Sequence, residues 1–230
     1  MRNATKVMVS TFGALVGLIG IEHGIGETLQ GNIAPDGIVI LSWPGSALFH
    51  VLGGEPAITI IPNLLVTGIL AILFSLFYLV WAVLFVQKKN GGLVLIILSV
   101  VMLLVGGGVF PPILGIINGV VGTQINAPLT WWRDHFSIGM RLFLAKLWPW
   151  SFSAYLIASL LMFPGLVILG YFFGVNNPIL ILILLLCMFG SLFSTTIAGF
   201  AYNIEKGIDA GFEYGIQKQT GPQQTLAAGK

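Results

Sequence analysis

Charge is what this chain of 230 residues has least of. Asp, Glu, Lys and Arg together make up 8% of it, where a soluble domain carries roughly 25%, and hydrophobic residues make up 57%. With a mean hydropathy of +0.98, that balance excludes an ordinary soluble domain and reads as an all-α, polytopic integral membrane protein. Basic runs are missing too: the ten Lys and Arg residues are scattered and the net charge is only +2, so no nucleic-acid partner is expected. Cysteine is nearly missing. Cys187 stands alone inside ILILLLCMFG, which rules out an intrachain disulfide and suggests an inert thiol packed among aliphatics.

Catalytic signatures are absent as well. Neither GGEPA nor the glycine triplet carries the Lys and Ser/Thr of a phosphate-cradling loop, and there is no serine nucleophile elbow. No motif names a cofactor. The start, MRNATK followed by VMVSTFGALVGLIGI, has the basic and apolar order of a signal peptide. No small-x-small site leads into a polar segment, so it reads as an uncleaved first transmembrane helix.

What is present is a series of apolar segments. About 20 residues cross the hydrocarbon at 1.5 Å each, and four segments meet that length plainly: 7–26, 61–86, 151–174 and 178–201. A fifth, 93–121, is broken by Gly106, Gly107, Gly108, Pro111 and Pro112. Three glycines and two prolines loosen the backbone and delete two amide donors, so a regular helix ends or kinks there. Residues 1–202 thus read as one membrane domain, followed by a tail, 203–230.

Basic residues set the expected orientation. None lies between Val7 and Gln87, which includes the long loop 27–59; they occur as Arg2 and Lys6, Lys88 and Lys89, Arg133 to Lys146, and Lys206, Lys218 and Lys230 in the tail. Five straight crossings would put two of these groups on the wrong side. If 93–121 folds back, as a re-entrant loop or two half-helices, all ten fall inside. The expectation is a cell-membrane protein with both termini cytoplasmic, the loop 27–59 outside, and the break lining a cavity, because irregular backbone at membrane depth needs protein or water around it. One long, tilted, proline-kinked helix is the competing reading.

The stretch 131–148 places Trp132, Phe136, Gly139, Met140, Phe143 and Leu147 on one helical face and Arg133, Ser137 and Arg141 opposite. This predicts an interfacial amphipathic helix ended by Pro149. In the tail, IEKG, IDAG, FEYG and IQKQ repeat with period four from Ile204. A helix is expected there if it finds a packing partner, with disorder after Thr220.

The first segment carries two features. Gly13, Gly17, Gly20 and Gly24 lie within about 60° on a helix, a small-residue stripe for close packing against another helix or another copy. Near its far end come Glu22, His23 and Glu27, in GLIGIEHGIGE. Ionisable groups at that depth are costly unless they face protein or water, so Glu22 is a candidate proton or cation site. The loop adds Asp36, His50 and Glu55 with no basic residue, and its apolar run GIVILSWPGSALFHVLGG predicts a lid that brings His50 toward His23 and Glu27. Glu22, His23, Glu27, His50 and Glu55 are therefore the candidate ion or substrate pathway. His23 and Glu27, at i and i+4, with His50 are the candidate metal ligands, although HGIGE lacks the HExxH order. Three classes of function fit: a transporter or permeation pathway for a cation, proton or small solute; an accessory subunit packing through glycine faces into a homo-oligomer or membrane complex; and an intramembrane metal-dependent or lipid-modifying enzyme.

Overall fold

A computed structural model describes residues 3–220 of the chain, with side-chain surroundings given through Gly207. Helix α1 (Ala4–Gln30) opens on Asn3, whose side chain accepts from the Lys6 amide, and stops at Gly31 with φ +86°. A loop follows, containing a two-stranded antiparallel hairpin, β1 (Val39–Leu41) and β2 (Pro56–Ile58), and a 3₁₀ turn, His50–Leu52. Then come α2 (Leu64–Val80, continued by a π turn, Trp81–Phe85), α3 (Gly91–Leu104), α4 (Phe110–Gly122), α5 (Thr130–His135), α6 (Ile138–Leu160), a second π turn, Leu161–Gly165, α7 (Leu166–Phe173) and α8 (Pro178–Thr220).

Four helices among the described residues are long and apolar enough to cross a membrane: Ala4–Gln30, Leu64–Phe85, Ile138–Phe173 and Pro178–Gly207. Their outward side chains are apolar, including Leu73 and Phe77 of α2 and Leu182 and Leu186 of α8, as a bilayer demands.

The broken segment folds back. A Cβ at Gly92 would meet the Thr123 backbone, one at Gly119 would meet Ile96, and one at Gly115 would meet Ser99, so α3 and α4 run antiparallel and almost touching. At 14 and 13 residues they span only about 20 Å each. Gly106 (φ +92°) and Gly108 (φ +84°) supply left-handed turns that side chains resist. Pro111 and Pro112 occupy the first turn of α4, where a missing N–H costs nothing, so they start a helix rather than interrupt one. The freed amides find acceptors: Gly106 N–H donates to Ile58 O (2.9 Å) and Gly107 N–H to Met102 O (2.8 Å).

The glycine stripe turns α1 onto α2. Side-chain carbons at Gly13, Gly17 and Gly24 would collide with Ala82, Leu79 and the Gly68–Ile72 backbone, and at Gly20 with Ser75. α4 locks to both: the Asn118 amide donates to Val9 O of α1 (3.0 Å) and to the Tyr78 hydroxyl of α2 (3.2 Å). α8 packs against α6, and Met8, Phe12, Tyr155, Met188 and Leu192 belong to the shared core.

The two ends of the bundle differ. At the terminal end, Asn3 joins the end of α4 through Ile125 O (2.8 Å) and α8 through Asn203 (3.1 Å). Lys6, Lys88, Lys89, Arg133, Arg141, Lys146 and Lys206 all belong to this end, as do the chain turns around Asn126. At the opposite, loop end, the hairpin lies over the bundle. Thr59 bridges Val105, Ile60 N–H donates to Leu104 O (3.0 Å), and Val51 rests on Gly170 of α7.

Two expectations meet a different structure. The stretch 131–148 divides into α5 and the first turns of α6, and α6 runs on through Pro149 instead of ending there. Pro149 lacks an N–H, so the carbonyl of Ala145 one turn earlier loses its helical donor, and a long helix carries that single loss. Cys187 is exposed on the outer face of α8, not packed inside. The backbone of the repeat that begins at Ile204 is helical to Thr220; its side chains after Gly207 and the segment after Thr220 lie outside the described residues.

Candidate functional site

Glu22, His23 and Glu27 occupy the last turns of α1, beneath the hairpin. His23 and Glu27, one turn apart, share a face and are buried (4% and 0% exposed). That face meets the turn between α3 and α4: a Cβ at Gly106 would overlap the Glu27 carboxylate, and one at Gly108 the His23 ring. The glycine triplet thus serves the site by letting backbone approach these two side chains. Glu22, about 100° around the helix from His23, faces another neighbour, the α6–α7 side.

The hairpin supplies the remaining groups. Gln30 of α1 holds it, donating to Leu41 O and Ser42 O (3.0 Å each). Pairing of Ser42 N–H with Glu55 O and of Trp43 N–H with Gly54 O brings SW against GGE. Gly53, Gly54 and Glu55 are successive left-handed residues (φ +67°, +77° and +57°), an uncommon run for a chain ending on a non-glycine. It directs Glu55 inward, where it is buried.

The contacts form one network. The Ser42 hydroxyl donates to Glu27 Oε1 (3.1 Å) and lies 2.8 Å from His23 Nδ1. His23 Nε2 is 3.3 Å from Glu55 Oε2. The Trp43 indole N–H donates to Glu22 Oε1. One ligand atom from each of Glu22, His23 and Glu55 lies within 4.8 Å of the other two. Burial holds the Glu55 carboxyl above the usual carboxylate range. Glu27 Oε2 and Glu55 Oε2 are buried and receive no hydrogen bond from the described residues.

Glu22 and Glu55 also line a slot of about 470 Å³ between α1, α4 and α6–α7, capped by Leu48 and Phe49. Its walls are otherwise apolar, with Leu15, Ile19, Leu114, Phe163 and Val167 among them, apart from Tyr155 and Ser159. The slot is a low-dielectric chamber with two carboxylates at one end.

The sequence candidates are distributed as follows. Glu22, His23, Glu27 and Glu55 converge. His50 is exposed on the 3₁₀ turn, lining a different hollow of about 630 Å³ with Trp43, Gly170 and Asn176, and is not among the clustered ligand atoms. Asp36 is exposed. Ser42 and Trp43 were not among the sequence candidates. The one signal for them is SWPG, a hydroxyl and an indole donor within an apolar loop, and nothing periodic ties that tetrapeptide to α1.

No protein-family model, curated protein or solved structure matches this chain, so its chemistry is read from the site alone.

Proposed function

We propose that the protein is a small membrane transporter that binds a positively charged solute at the Glu22–His23–Glu55 cluster. One observation carries the reading: three carboxylates and a histidine are gathered at the loop end of the apolar helices, and among the described residues no Lys or Arg forms an ion pair with them. Unpaired buried carboxylates are costly, and a bound cation or proton relieves that cost. The slot receives any apolar part of the solute, and the hairpin closes over its head.

The same reading orients the molecule. The named basic residues sit at the terminal end, which the positive-inside rule assigns to the cytoplasm, with the hairpin outside the cell membrane. Impermeant thiol labelling in a Cys187→Ser background tests this. A cysteine placed at Asp36 is expected to label from outside and one at Lys89 is not; the reverse pattern overturns the orientation.

For the function, purified protein is reconstituted in liposomes and movement of a panel of mono- and divalent cations is read with luminal indicators. Glu22→Gln keeps the shape and removes the charge, so transport is expected in the wild type and not in the variant. Folded wild-type protein that moves no cation contradicts the reading. The apolar wall of the slot favours a second reading, an enzyme acting on lipid beside the cluster; lipid turnover in the same vesicles without ion movement would move the assignment there.

A further inference from the structure

Resting on the cation-binding reading above, we infer that the cluster is a divalent transition-metal site in which His23 Nε2 and the carboxylates of Glu55 and Glu22 are the ligands.

Ser42 sits behind the cluster. Its hydroxyl has one proton and two neighbours, Glu27 Oε1 and His23 Nδ1. When Glu27 is ionised it only accepts, so the Ser42 proton goes to it and the Ser42 oxygen accepts from Nδ1–H. A neutral imidazole protonated at Nδ1 carries a lone pair at Nε2. That lone pair faces Glu55 Oε2, another acceptor, at 3.3 Å.

In that state two buried acceptors held this close repel unless positive charge joins them. Two ligands around one tetrahedral ion, with bonds of about 2.0 to 2.1 Å, stand about 3.4 Å apart, and the observed 3.3 Å meets that spacing. Glu55 Oε2 is the independent sign: the residue is 7% exposed and this oxygen accepts no hydrogen bond from the described residues. The rear of the site has the form that metal-binding histidines use, the second ring N–H tied toward a carboxylate, here through Ser42 to Glu27. Glu22, steadied by Trp43, closes the triad from the slot side.

A donor set of one imidazole and two carboxylates suits zinc, iron(II) or manganese(II) and disfavours copper(I), which prefers sulfur. Three protein ligands leave a coordination position open. Because Glu22 and Glu55 line the slot, that position faces it, and the metal can meet a solute group there.

The test uses full-length protein carrying His50→Ala, which removes an exposed histidine that could bind metal on its own. After chelator treatment, zinc and manganese(II) are titrated by calorimetry, and cobalt(II) is titrated while its visible absorption is followed. One ion per chain is expected, with cobalt bands of a four- or five-coordinate site. His23→Gln is expected to abolish binding. Ser42→Ala, which leaves every ligand in place, is expected to weaken it by about 10- to 100-fold and guards against a His23 variant that fails to fold. Absence of zinc, cobalt and manganese binding by folded protein overturns the metal assignment. If Glu22-dependent movement of other cations persists in that case, only the metal fails; if it is absent too, the cation reading fails with it.

Discussion

Both ends of this bundle bury charge, and they do so in opposite ways. At the terminal end, Arg141 of α6 meets Glu205 of α8 at 3.0 Å, with both side chains largely buried, so each charge has its counter-charge. At the loop end, Glu22, Glu27 and Glu55 gather around one histidine, and among the described residues no Lys or Arg forms an ion pair with them. A paired charge ties two helices together. An unpaired cluster instead leaves the fold an unmet electrostatic demand, which a ligand can satisfy. Under the proposed function, the terminal end is scaffold and the loop end is the working site.

The contrast can be broken most forcefully at the scaffold end. Glu205→Gln leaves Arg141 buried without its partner and is expected to cost about 3 kcal/mol, read as a lower denaturation midpoint in detergent. Glu55→Gln, which removes charge from an acidic cluster, is expected to hold or raise the midpoint of the ligand-free protein. Equal losses from the two substitutions would erase the distinction.

The turn beneath the site offers a somewhat smaller effect. Gly106→Ala adds a carbon against the Glu27 carboxylate and forces alanine to φ +92°. A loss of about 2 kcal/mol is expected, together with weaker cation binding, measured on the same sample. Unchanged stability would mean that the turn does not pack on Glu27.

The smallest effect concerns pH. Burial raises the Glu55 carboxyl from its ordinary value of 4.5, so between that value and the raised one the folded chain holds a proton that the unfolded chain has released. Stability from this group is therefore full at acid pH and is lost as pH rises through that window, the reverse of a salt-bridged carboxylate. With Glu22 and His23 facing it, Glu55 is expected to make the chelator-treated protein melt at a lower temperature near pH 8 than near pH 5. Glu55→Gln flattens that slope; an identical slope in the variant assigns it elsewhere.

Much of the scaffold was legible in the chain. Four long apolar segments announced the helices long and apolar enough to cross a membrane, and the glycine stripe foretold a close contact, which α2 provides. GGG followed by PP marked the fold-back because glycine turns and first-turn prolines are local effects. Pro149 was misleading for the converse reason: a long helix continues past one lost hydrogen bond that would more readily stop a short one. The site was half legible. Glu22, His23 and Glu27 stood out because charge is costly in an apolar run, whereas Ser42 and Trp43 belong to it only through strand pairing and the left-handed run Gly53–Glu55, neither of which has a periodic signature. His50 carried the right chemistry but lies on a turn that faces outward.

The most direct test of the working-site claim is the melting temperature of chelator-treated protein with and without added cation, in the wild type and in a Glu22→Gln, Glu55→Gln double variant. A ligand bound only by the folded state at a hundredfold above its Kd stabilises by about 2.7 kcal/mol. The wild type is predicted to gain a cation-dependent rise in melting temperature and the double variant none. The same rise in both would contradict a cation site at the loop end.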